Sequence, residues 1–215
     1  MPELYTAIEI NIIPNGTELG DIMTSYNPIY GTTVSFVRVK QNLNLTGKTY
    51  AYSSAYVTNA KGKDEDFSIL GQTFNMAKIK AGAFDMFFRS ELFCVELNAN
   101  SIKQHFLSNG QDIEIEIPIT VEGNKVTLDL SSEIPVCRKV EMYMFQDADD
   151  SQLHMYMPTS SFINYFANME LYALIAEGKI NSADAAAAEK VFADMEARVE
   201  SINVSFVMKA IEVVK

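Results

Sequence analysis

An amphipathic hairpin pattern between residues 112 and 130 constrains the fold most strongly. Isoleucines occupy every second position from Ile113 to Ile119, and acidic or other non-aliphatic residues stand between them. Gly123-Asn124 supplies a two-residue turn, after which apolar residues alternate again over 126–130. One face of this ribbon therefore belongs in a core and the other in water, as in an antiparallel sheet.

Most of the chain before residue 158 carries further strand patterns. Turn-forming residues separate them, and the acidic turn DADD joins the last two into a second hairpin. The predicted strands are the alternation of Ile8, Ile10 and Ile12 near the start, TVSFVRVK (33–40), KTYAYSSAYV (48–57), DMFFRSELFCVELN (85–98), RKVEMYMFQ (138–146) and QLHMYMP (152–158).

One segment among these strands has a helical spacing. In ANSIKQHFLSNG (99–110), Ile102, Phe106 and Leu107 fall at positions i, i+4 and i+5. Asn109-Gly110 is suited to a left-handed cap at the end of a helix. The pattern predicts a short helix here.

The last quarter of the chain changes to helical periodicity. A helix is predicted over about 160–177, capped by Thr159 or Ser160, and a second over about 182–200. An alternating strand over about 202–213 closes the chain.

Together these elements predict an α+β protein, mainly antiparallel β, in one domain over 1–215 with its other strands between 3 and 157. Many evenly spaced strands leave exposed edges unless the sheet closes, so we expect a β-barrel. A C-terminal helical hairpin and a closing strand complete it.

The stretch VEMYMFQDADDSQLHMYMPTSSFINYFANMELYALI resembles the lipocalin-like (calycin-like) proteins of unknown function from gut Bacteroidetes, which are exported or lipid-anchored. The similarity lies in the strand–acidic turn–strand, the entry into a helix, and the closing strand after a helical excursion, over roughly 110–210. It implies a lipocalin-like barrel in the bacterial cell envelope, in the periplasm or as an outer-membrane lipoprotein whose leader has been removed. A native Met1 would instead imply a cytoplasmic protein.

The charge balance excludes several classes of partner. With 17 Lys and Arg against 28 Asp and Glu, the net charge is −11, and no basic cluster suits nucleic acid or an anionic membrane. No apolar run reaches the roughly 20 residues that a transmembrane helix needs.

Metal-binding and catalytic motifs are weak. Cys94 and Cys137 lack the short paired spacings of zinc sites, which leaves a disulfide or two unpaired core thiols, and His105 and His154 are read as structural. The turn containing Asp147 departs from a calcium-binding loop and is expected to be solvated.

Paired carboxylates give no better candidate for a reaction. Glu114 and Glu116 lie about 7 Å apart on the polar face of the hairpin, where neither is buried enough to act as a catalytic acid. We therefore predict no enzyme activity, no catalytic residue, no metal and no cofactor.

Tyrosines are the one group with a functional implication. Rings with a hydroxyl on a barrel's inner or rim surface suit small apolar or amphipathic ligands. The alternatives are a solidly packed barrel that contacts protein or glycan partners, and a hydrolase that uses clefted carboxylates or His154. The candidate ligand-binding residues are Tyr50, Tyr52, Tyr56, Tyr143, Tyr156 and Tyr165.

Overall fold

The computed structural model describes residues 43–108, 111–147 and 150–211, and the backbone of 18–27 and 32–40. The predicted strand around Ile8 lies outside the described residues. The strands are β1 Glu18–Asn27, β2 Thr32–Lys40, β3 Lys48–Gly62, β4 Phe67–Ile69, β5 Gln72–Phe74, β6 Cys94–Leu97, β7 Ser101–Ser108, β8 Gln111–Glu122, β9 Lys125–Leu128, β10 Val140–Gln146, β11 Gln152–Met157 and β12 Val199–Ile211. The helices are α1 Met76–Lys80, α2 Ala83–Ser90, α3 Thr159–Ala176 and α4 Ala185–Arg198.

Eight strands form a closed antiparallel barrel in the order β10-β11-β12-β3-β6-β7-β8-β9, and β9 pairs with β10 to close it. β1 and β2 form a separate antiparallel ribbon, and β4 and β5 form a short hairpin. Closure leaves no free edge in the main sheet. The predicted α+β class and the predicted antiparallel barrel are confirmed.

The hairpin of β8 and β9 follows its predicted pattern. Ile115 and Ile117 are buried, and Glu114 and Glu116 point outward, where Lys103 lies within 3.9 Å of both carboxylates. The predicted solvated role of these two glutamates is therefore confirmed.

The prediction of one long strand over residues 85–98 is wrong. Residues 83–90 are helix rather than strand, and only Cys94–Leu97 is extended. Phe84 and Phe88 are four residues apart, so both fall on the buried face of α2. The apolar residues of 86–97 lie close enough together to fit a strand as well as a helix, which concealed the helical period.

The prediction of a short helix over residues 99–110 is also wrong, because residues 101–108 form a strand. β6 and β8 flank this segment and satisfy its backbone on both sides. Ile102, Gln104 and Phe106 alternate into the barrel. Pairing with the strands directly before and after it in the chain overrode the local helical spacing.

The C-terminal helical hairpin and closing strand are confirmed, with shifted ends. α4 begins at Ala185, where the Asp184 carboxylate accepts the Ala187 N–H. Thr159 does not cap α3; its hydroxyl instead exchanges two hydrogen bonds with the backbone of Ile202 on β12. No helix in the described part of the chain is long and apolar enough to span a membrane.

Candidate functional site

A β-bulge in β3 divides the predicted tyrosines between the two faces of the barrel. Val207 pairs with Ser54 but the next residue, Met208, pairs with Tyr52, so Ser53 is an extra residue on β3. The bulge shifts the alternation by one position. Tyr52 therefore points inward with buried Met208, whereas Tyr56 points outward.

Three of the six candidate tyrosines lie on the outer face in one cross-strand row. Tyr143 pairs with Tyr156, Tyr156 with Ser205, and Ser205 with Tyr56. The rings of Tyr143 and Tyr156 are 6.4 Å apart, and Tyr56 is 60 % exposed. These three residues do not contribute to a site inside the barrel.

Tyr50 closes one end of the barrel interior. Gln146 Nε2 donates to Tyr50 Oη at 2.7 Å and to the Asn44 carbonyl at 3.2 Å, while the Asn44 N–H donates back to Gln146 Oε1 at 2.6 Å. Burial raises the pKa of Tyr50, and the negative charges of Asp150 and Asp147 raise it further. Tyr50 is thus a satisfied structural residue.

Tyr52 anchors α2 to the barrel next to the bulge. Its hydroxyl donates to Asp85 Oδ1 at 2.5 Å, and the same oxygen accepts the Ala55 N–H at 3.0 Å. Arg89 donates to Asp85 and to the Ser53 carbonyl. β6 pairs with β3 only as far as Ala51. Asp85 therefore accepts a backbone hydrogen bond from a part of β3 that has no partner in β6.

We expect Tyr52→Phe to lower the free energy of unfolding at pH 7 by about 2 kcal/mol, because it removes a hydrogen bond to a charged group. Burial raises the pKa of Asp85, but hydrogen bonds from Tyr52, Ala55 and Arg89 outweigh it and hold that pKa below its ordinary value. The stabilisation is therefore fully present above the unfolded-state pKa of about 3.9 and is lost as the pH falls through the lower folded-state pKa.

Urea unfolding followed by circular dichroism at pH 7 and at decreasing pH measures this difference. Tyr56→Phe, on the exposed outer face of the same strand, is the matched control and should change stability by less than about 0.5 kcal/mol. Equal effects of the two variants at pH 7 would contradict the assigned role of Tyr52.

The helices cover the opposite end of the barrel. Tyr165 on α3 is buried, and its hydroxyl donates to Gln104 Oε1 inside the barrel at 2.8 Å. Burial raises the pKa of Tyr165. Phe84 on α2 packs against Phe166 of α3 and Phe206 of β12, with ring centroids 5.1 and 5.9 Å apart. α3 thus covers this end of the barrel and is itself buried on all its faces over most of its length.

An apolar pocket lies between these helices and the barrel. Its cavity volume is about 10 Å³, the room that a single water molecule needs. The lining residues are Leu70, Phe87, Phe88, Glu91, Phe93, Phe106, Tyr165, Phe166 and Met169.

One polar atom at this pocket, Glu91 Oε2, is enclosed and has no hydrogen-bond partner within the described part of the chain. Burial raises the pKa of Glu91. The other enclosed side-chain atoms without a partner there, Gln104 Nε2, His154 Nε2 and Arg198 Nε, belong to residues that do not line the pocket. Buried polar atoms are almost always paired in native proteins, so an unpaired one in an apolar pocket is a candidate contact for a water molecule or a ligand.

The tip of the β4–β5 hairpin covers the pocket. Leu70 and Gly71 form its turn with φ of +51° and +73°, and Leu70 lines the pocket. The Gly71 N–H donates to Glu170 Oε2 on α3 at 3.1 Å. This hydrogen bond and the apolar contacts of Leu70 therefore hold the tip against α3 and the pocket.

The cysteines, His154 and Asp147, which were weighed above as candidates for chemistry, make contacts of a structural kind. Cys94 and Cys137 are unpaired, which excludes the disulfide alternative, and burial raises the pKa of Cys137 to about 11. On the outer face of the barrel, the His154 ring stacks on the Phe145 ring, with the two ring centroids 4.6 Å apart. Asp147 accepts hydrogen bonds within its own turn, and no described group of His, Cys, Asp or Glu side chains is arranged to hold a metal.

No known protein family, curated protein or solved structure matches this chain. The functional conclusion therefore depends on the site itself. Of the six predicted tyrosines, the structure places only Tyr165 at the pocket.

Sequence reasoning missed Glu91, every phenylalanine that lines the pocket, and the inward-facing Gln104 that binds Tyr165. The spacing of Phe84 and Phe88 was the available signal for α2, whose end carries Glu91. The position of Gln104 between Ile102 and Phe106 in an alternating run was the signal for an inward polar residue.

Proposed function

We propose that this protein binds a small apolar or amphipathic molecule, without catalysing a reaction, in the aromatic pocket under α3. The observation that carries the proposal is the enclosed Glu91 Oε2, which has no hydrogen-bond partner among the described residues and lies in a wall made otherwise of apolar and aromatic side chains. Ligand sites commonly combine such a wall with a few polar groups that orient the ligand.

Binding requires the pocket to widen, since its present volume is far below the roughly 300 Å³ of ordinary ligand sites. Leu70 and Met169 are aliphatic residues of its wall, and Leu70 stands on the hairpin tip. Methionine side chains adapt readily to a changed neighbour. We therefore expect the hairpin tip to move and Met169 to report on it.

Nuclear magnetic resonance of protein with ¹³C-labelled methionine methyls tests the proposal, with toluene as the probe. We expect a saturable shift of the Met169 methyl and no shift of the exposed Met86 methyl, which lies outside the pocket. Leu70→Gly removes a wall side chain at a position whose φ suits glycine, and should tighten toluene binding several-fold. No response at Met169 in either protein would overturn the proposal.

A second candidate is favoured by the filled interior. Inward side chains such as Met142, Met155 and Phe206 are almost completely buried. This packing supports a structural or interaction protein that contacts protein or glycan partners through its surface. A wild-type protein and a Leu70→Gly variant that both exclude toluene would favour this function over ligand binding.

We further propose that the chain is a lipocalin-like protein of the bacterial cell envelope. The support is the resemblance of the stretch around residues 140–175, together with the closed barrel. Antibody detection in fractionated cells of the source organism tests the location. Recovery with the cytoplasmic fraction alone would overturn it.

A further inference from the structure

We infer that the ligand of the aromatic pocket is an organic cation, an apolar body with a protonated amine, whose ammonium group is bound by Glu91. This inference rests on the proposed function and specifies its ligand. The juxtaposition that carries it is a carboxylate oxygen without a partner next to a dense group of aromatic rings.

The position of Glu91 is fixed by its backbone. Its N–H donates to the Phe87 carbonyl at the end of α2, and its carbonyl accepts the Leu107 N–H from β7 at 2.7 Å. The backbone of Glu91 is thus held between α2 and β7, and its side chain lines the pocket from that fixed point. A fixed backbone reduces the ordering that ligand binding requires.

The surrounding rings favour a positive charge over a negative one. Phe88 lies 5.1 Å from Phe87 and 5.3 Å from Phe93, so rings crowd the wall next to Glu91. Aromatic faces attract cations through their quadrupole, and desolvation strengthens this attraction. The enclosed Oε2 of the half-buried Glu91 offers an ion pair that compensates the cation for the hydration it loses on leaving water.

Two wider electrostatic features act in the same direction. The pocket borders the C-terminal end of α2, where the helix dipole favours cations. The whole chain carries a net charge of −11, which attracts cations and repels anions such as fatty acids. An anionic ligand would be repelled by Glu91, and a neutral ligand could offer Oε2 a hydrogen bond but no opposite charge.

Benzylamine, benzyl alcohol, phenylacetate and toluene form a probe series with one ring and different head groups. Titration of wild-type protein at pH 7, followed at the Met169 methyl, should show benzylamine binding at least tenfold more tightly than the other three. Glu91→Gln should remove this preference, so that the affinity for benzylamine falls to within about threefold of the affinity for toluene in the same variant. Glu200→Gln makes the same charge change at an exposed site on β12 and should retain the preference.

The outcomes separate the inference from the proposed function. Toluene binding without a preference for benzylamine, or a preference that survives Glu91→Gln, overturns the inference and leaves the binding function standing. Tighter binding of phenylacetate also overturns it. Failure of all four probes overturns both.

Discussion

Phe84→Ala should lower the free energy of unfolding by about 4 kcal/mol, because it opens a cavity where the helices meet the barrel. Phe84 is fully buried on α2. Its ring centroid lies 5.0 Å from Phe88, 5.1 Å from Phe166 and 5.9 Å from Phe206, so one side chain joins α2, α3 and β12. Such a loss is a large share of the 5–15 kcal/mol that stabilises a typical domain.

Urea unfolding followed by circular dichroism measures the change in stability. Met86→Ala is the matched control, since Met86 is 65 % exposed on the same helix and should cost less than about 0.5 kcal/mol. Phe84→Leu keeps part of the buried volume and should recover part of the loss. A Phe84→Ala loss below about 1 kcal/mol would contradict the central position of this ring.

Gly62→Ala should be the second severe substitution, with a loss of about 3 kcal/mol from overpacking. Gly62 faces Val199 where β3 meets the end of α4, and the Lys63 N–H donates to the Arg198 carbonyl at 2.9 Å. A Cβ at position 62 would lie 2.1 Å from that carbonyl oxygen. Because the oxygen belongs to the backbone, no side-chain rotation relieves the clash.

Gly178→Ala separates the clash from the general cost of replacing glycine. Gly178 has a φ of +71° and no atom within 4 Å of an added Cβ, so only backbone strain of about 1 kcal/mol is expected. Both variants are compared by urea unfolding. A Gly62→Ala loss no larger than that of Gly178→Ala would refute the close contact with Arg198.

The elements that local pattern predicted well are those whose faces differ strongly in polarity. The isoleucine alternation of β8 and the acidic turn between β10 and β11 needed no distant information. Residues 85–90 and 101–108 were misassigned because apolar residues there fit more than one period. Their true states depend on what pairs with or packs on them.

The candidate site was less predictable than the fold. Tyr50, Tyr52 and Tyr56 are separated by even numbers of residues, so a regular strand would place all three on one face. Nothing local to β3 indicates the bulge at Ser53 that turns Tyr56 outward. Glu91 reaches the pocket wall only because α2 ends against β7. A pocket formed by elements far apart in the chain has no signature in a single segment.

The sequence by itself determined the antiparallel class, the barrel, the C-terminal helical hairpin and the closing strand, because alternation and helical period are local properties of the chain. Only the tertiary structure decided which tyrosines face inward and where an enclosed carboxylate meets aromatic rings. Register, bulges and helix docking are set by contacts between distant segments, and those contacts exist only once the barrel has closed.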